Sequence, residues 1–74
     1  MYLYFKDLGK IDLFGFERLV LKEGSIETPL VYEEGGGWRD SCDDTTYTEE
    51  QIGNAKVVDI QAIGYCNIKV TIQF

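Results

Sequence analysis

Residues 56–74, KVVDIQAIGYCNIKVTIQF, decide the fold class. In their second half Ile68, Val70, Ile72 and Phe74 alternate with Asn67, Lys69, Thr71 and Gln73. A period of two puts one set on a buried face and the other in water, which is the pattern of a strand at 67–74. Residues 56–63 share the β-branched enrichment, and Val58, Ile60 and Ala62 are expected on the same core face. Gly64-Tyr65-Cys66-Asn67 supplies the turn that joins the two strands.

Working back from this pair, Thr48-Glu49-Glu50-Gln51 has the form of a capping box, with the Thr48 hydroxyl serving the Gln51 amide and Gln51 reaching back. Gly53-Asn54 stops the helix after a turn or two. Upstream, residues 34–47, EGGGWRDSCDDTTY, read as an acidic irregular loop, because Gly35-Gly36-Gly37 suits neither helix nor strand. Residues 26–33 read as a strand whose Pro29 cannot donate to a ladder, so it should lie at an edge or contain a break. Lys22-Glu23-Gly24-Ser25 is a hairpin turn. Residues 11–22 allow a helix capped by Asp12, but apolar residues fall all round the wheel and Gly15 sits inside. An extended segment bent at Gly15 fits better. Residues 2–6 form a further strand, closed by a turn at Asp7-Leu8-Gly9-Lys10. The expectation is therefore an α+β, mostly β, single domain over 1–74. It has a small antiparallel sheet of four or five strands and one short helix near 48–53.

Seventy-four residues hold one core and a small stability margin. Ten aromatic residues are more than such a core hides, which points to a contact surface for a partner or a second copy. The start shows no basic region followed by an apolar one, and no apolar run reaches membrane-spanning length. A cytoplasmic protein with no membrane partner is the expectation, in the host cytoplasm if it is phage-encoded. Cys42 and Cys66 are too few for a disulfide framework and read as ordinary thiols. A bridge between them stays open if the acidic loop folds back on the C-terminal strands.

Catalytic chemistry is poorly supplied. The chain has no histidine, which removes the usual general base and the commonest transition-metal ligand. Glu33/Glu34, Asp43/Asp44 and Glu49/Glu50 are adjacent pairs, and neighbours in extended chain point to opposite faces. The triple glycine lacks the spacing and lysine of a phosphate cradle and follows two glutamates. Residues 40–51 place Asp40 and Asp44 at two positions of a calcium loop. Thr45 and Gln51 stand where that loop needs glycine and glutamate. No enzyme activity, cofactor or metal is expected.

Charge placement is the informative feature. The net charge is −6, yet residues 23–50 alone carry nine carboxylates against Arg39, a net −8. Direct nucleic-acid binding is disfavoured, because its affinity comes from lysine and arginine meeting phosphates. A protein with a basic groove that handles nucleic acid would instead be attracted to this segment. Aromatics and arginine, the residues that anchor interfaces, are interleaved with the acids. The candidate partner-binding residues are Glu33, Glu34, Trp38, Asp40, Asp43, Asp44, Tyr47, Glu49 and Glu50. Their combination predicts a non-catalytic inhibitor or regulator, matching by size and charge the phage-encoded anti-CRISPR and DNA-mimic class. The competing expectations are a solvated acidic face that only keeps the domain in solution, and an assembly protein that forms a homodimer or larger homo-oligomer through edge strands and exposed aromatics.

Overall fold

A computed structural model describes residues 2–12, 18–64 and 68–74. Tyr2–Phe5 (β1) and Gly9–Asp12 (β2) form a two-stranded antiparallel hairpin with Leu3 opposite Ile11. Arg18–Glu23 (β3), Ile26–Tyr32 (β4), Trp38–Asp40 (β5), Thr46–Tyr47 (β6), Lys56–Ala62 (β7) and Ile68–Gln73 (β8) share a six-stranded sheet. Its order is β6-β5-β4-β3-β8-β7. The helix α1 spans Glu49–Asn54. The protein is thus mostly β with one short helix, and every pairing is antiparallel except β3 with β8, which run parallel.

Leu19, Leu21, Leu30, Trp38, Val70 and Ile72 meet in one core, and Leu3, Phe5, Ile52 and Ala55 join it from the hairpin and the helix. Phe5 and Ile52 are wholly enclosed, each contributing about 1.5–3 kcal/mol by leaving water. The helix seats against β1 at Gly53. A Cβ there would lie 2.3 Å from the Tyr4 carbonyl oxygen, and the Lys6 N–H donates to the Gly53 carbonyl at 2.8 Å. Gly53 therefore lies inside the helix, serving a close approach, while the helix itself ends at Asn54.

Several expectations change for identifiable reasons. The segment 11–22 is divided: Ile11 and Asp12 pair with β1, and β3 begins at Arg18. The bend at Gly15 falls outside the described residues, as does Cys66 and with it the Cys42–Cys66 bridge. The expected loop 34–47 contains β5 and β6, so the sheet counts six strands rather than four or five. Strand β4, expected to lie at an edge or contain a break, has neighbours on both sides, so the second alternative applies. Its ladder with β5 runs only from Leu30 to Tyr32, and beyond it Ser41 donates through N–H and hydroxyl to the Pro29 carbonyl. The missing proline donor thus coincides with the end of that ladder.

On β7 the expected core face is displaced. Val57 opposes Ile72 and Asp59 opposes Thr71, so Val58 is an extra residue in a bulge. The half-buried Val57 packs on the core, while Val58, Ile60 and Ala62 are exposed. Ile68, Val70 and Ile72 face inward as predicted, but Phe74 is exposed and stacks on Tyr47 at 4.8 Å between ring centroids.

Candidate functional site

Two turns and the start of the helix build the acidic face. The β4–β5 turn is closed by the Glu33 N–H donating to the Gly37 carbonyl at 3.0 Å, and by Gly36 N–H to the Glu33 carbonyl at 3.1 Å. Gly35, Gly36 and Gly37 all have φ near +100° (98°, 109° and 92°), a run that side-chain-bearing residues do not tolerate. At Gly37 a Cβ would also press on the Tyr47 carbonyl at 3.0 Å. The loop glycines therefore bring β5 and β6 together and leave one wall bare of side chains.

In the β5–β6 turn each acid has a hydrogen-bond partner, although Asp43 and Asp44 stay exposed. Asp40 is buried, and its carboxylate accepts from the Cys42 N–H at 2.7 Å and the Asp43 N–H at 3.4 Å. Asp43 accepts from the Thr45 N–H at 2.9 Å, a bond that holds its carboxyl below the usual aspartate value. Asp44 takes the left-handed conformation at φ 63° and accepts from Arg39 Nη1 at 3.0 Å. Arg39 Nε donates to Glu33, and these two hydrogen bonds, Glu33 first, raise the guanidinium pKa. The one cation of residues 23–50 is thus held by two carboxylates. The Asp40 carboxylate meets backbone N–H groups and that of Asp44 meets Arg39.

The start of α1 does the opposite. Thr48 and Gln51 form the expected box, with Gln51 N–H to Thr48 Oγ1 at 3.1 Å and Thr48 N–H to Gln51 Oε1 at 2.8 Å. Glu49 and Glu50 occupy the first turn, are exposed, and have no hydrogen-bond or ion-pair partner among the described residues. Glu34, exposed in the β4–β5 turn, is in the same position.

Between these elements lies an open groove of ≈ 660 Å³, lined by Glu33, Gly35–Gly37, Trp38 and Thr46–Glu50. It gathers Glu33, Trp38, Tyr47, Glu49 and Glu50 from the candidate residues. Glu34, Asp40, Asp43 and Asp44 do not line it. Trp38 is 6% exposed and meets Tyr32 edge-on at 5.3 Å between centroids. Its indole N–H is buried without an acceptor among the described residues, a condition that costs about 1–3 kcal/mol. Burial first, then the charges of Asp40, Asp43 and Glu23, raise the Tyr47 phenol above its ordinary pKa.

The sequence reading missed the neighbouring hollow, lined by Tyr2, Leu3, Tyr4, Glu49, Glu50, Gly53 and Asn54. Tyr2 and Tyr4 are the outward residues of β1, at 59% and 67% exposure, and Lys10 Nζ lies 4.2 Å from the Tyr2 ring centre. Their alternation with Leu3 and Phe5 carried the signal, but only the seating of α1 on β1 places them beside the glutamates. Among the described residues no three metal-ligating side chains cluster, and no helix is long and apolar enough to cross a membrane. No protein-family model, curated protein or solved structure matches the chain.

Proposed function

We propose that the chain is a non-catalytic inhibitor or regulator that binds a nucleic-acid-handling protein through this acidic and aromatic face. The observation that carries the reading is the convergence of Glu33, Trp38, Tyr47, Glu49 and Glu50 on one groove while Arg39 is held by Glu33 and Asp44. Carboxylates left to solvent at Glu34, Glu49 and Glu50 stand in for phosphates, and the field they create speeds encounter with a basic channel. Tyr47, half-buried over the buried Trp38, gives the contact its apolar surface. Occupying the channel blocks substrate access without chemistry. By size and charge the chain resembles phage-encoded inhibitors of host defence, the anti-CRISPR and DNA-mimic type, and on this reading it would work in the host cytoplasm.

The test is a pull-down from nuclease-treated bacterial lysate with the tagged chain beside Glu34→Lys/Glu49→Lys/Glu50→Lys. A DNA- or RNA-handling protein retained by the original chain alone, and released as salt rises, supports the reading. The same proteins on both baits would refute it.

A second reading, self-assembly through a sheet edge, draws on β7. It ends the sheet, with Val58 at 37% and Ile60 at 45% exposure. The C-terminal strand β8 lies between β3 and β7 and is not open to such edge pairing. At β7 itself the Val57 N–H already donates to Asp7 Oδ2 at 3.1 Å. Light scattering at high concentration decides this reading: a mass of 8.4 kDa excludes it.

A further inference from the structure

We infer that β7 pairs antiparallel with β7 of a second copy, about a two-fold axis that passes at Ile60. The inference rests on the second reading above, self-assembly through a sheet edge, and fixes the residues that meet. The six-stranded sheet ends at β6 and β7. Exposed edges are normally blunted by short length, bulges, proline or charge. β6 has only two residues, and its Tyr47 ring is stacked by Phe74. β7 has seven residues and no proline, and its protective features gather at one end. Lys56 and the bulge lie there, and the Val57 N–H is already taken by Asp7 Oδ2. From Val58 to Ala62 every residue is exposed, and Asp59 is the only charge.

This open stretch is self-complementary in one register. A two-fold axis perpendicular to the sheet sets opposite one another residues that point to the same face. Ile60 is the midpoint of 58–62, so an axis there uses the whole open edge and stops where Asp7 closes it. It sets Ile60, 45% exposed, against its own copy and Asp59 against Gln61. Within each chain Asp59 lies opposite Thr71 on β8, and Gln61 lies opposite Lys69. Four strands then carry the row Thr71, Asp59, Gln61, Lys69, with the Gln61 amide donating to the carboxylate of the other copy. An axis one residue earlier opposes the two Asp59 carboxylates, which is destabilising. One residue later it sets Asp59 against Ile63, beyond the end of the strand.

The test joins light scattering to cross-linking of the full chain. At high concentration the original chain should have twice the mass of 8.4 kDa. Ile60→Lys should weaken the dimer at least about tenfold while keeping the circular dichroism of the original. Single cysteines are then placed in a Cys42→Ser/Cys66→Ser background and treated with a short bismaleimide. Ile60→Cys should be joined to its copy, because the two positions are neighbours across the axis. Lys56→Cys should not be joined, since Lys56 opposes Gly64 in this register and its copies stand about 27 Å apart along the strands. A mass of 8.4 kDa for the original chain overturns the register and the assembly reading together. A doubled mass that Ile60→Lys leaves unchanged, or that cross-links at Lys56 and not at Ile60, overturns the register and leaves self-assembly standing.

Discussion

Asp43-Asp44 and Glu49-Glu50 are both adjacent acidic pairs within one short, strongly negative segment, yet the fold uses them in opposite ways. The aspartates sit in the β5–β6 turn, where one accepts from the Thr45 N–H and the other from Arg39. Short side chains that reach nearby backbone favour such turns over solvent. The glutamates sit at the start of α1, where the box of Thr48 and Gln51 has already served the nearest backbone donors. Their carboxylates remain available. Charge counted along a chain is therefore a poor measure of charge offered to a partner, and turn geometry makes the difference.

The comparison can be broken at the helix or at the turn. Gly53→Ala should have the largest effect, about 3 kcal/mol of lost stability in urea unfolding, because the added methyl meets the Tyr4 carbonyl. It should also unseat α1 and move Glu49 and Glu50 away from the groove. Asp40→Ala should cost about 2 kcal/mol, since the buried carboxylate leaves two backbone donors unmatched. Thr48→Ala removes the helix cap and should cost about 1 kcal/mol. Reversing Glu49 and Glu50 to lysine should lower the unfolding midpoint slightly, because the helix start favours acids, and abolish partner capture; reversing Asp43 and Asp44 should lower the midpoint and leave capture intact.

The smallest effect is the contribution of the Asp43 turn bond to stability in acid. The Thr45 N–H lowers the Asp43 pKa from 3.8, and the Lys69 hydrogen bond and charge lower that of Glu27 from 4.5. As pH falls, the unfolded chain takes these protons before the folded one does. Their contribution is therefore complete above about pH 5 and disappears as pH drops through the folded values. Asp43→Asn should flatten the acid limb of stability against pH, measured by urea midpoints between about pH 2 and 6.

The parts of the fold that rest on local chemistry are legible in the sequence. The capping box at Thr48, the turn at Gly24-Ser25 and the alternation of Ile68, Val70 and Ile72 each act over a few residues. What could not be read depends on distant partners or on a single inserted residue. β5 and β6 are short strands between glycines and aspartates, and their register comes from the ladder, with Trp38 between Tyr32 and Tyr47 and Arg39 between Val31 and Thr46. The bulge at Val58 resets the alternation on β7, so a correct strand carried a wrong face. For the site, Glu33, Trp38, Tyr47, Glu49 and Glu50 were found by composition, and Tyr4 was not assigned to it. Asp40 was chosen for its charge, while its burial and turn bonds give it a structural role.

The parallel pairing of β3 with β8 sets Leu19 beside Val70, across most of the length of the chain. Contacts so far apart in sequence make folding slow, because the loop between them must close before the contacts repay it. The bare turn at Gly35-Gly36 lies between the two partners, exposed and free of side chains. A cut there would give two pieces, one holding β1–β4 and the other β5–β8 with the helix, each with an open strand where the other belongs. The protein is in this sense a pair of complementary halves joined by a short tether, and the ladder from Arg18 to Leu21 is where a divided molecule would find itself again.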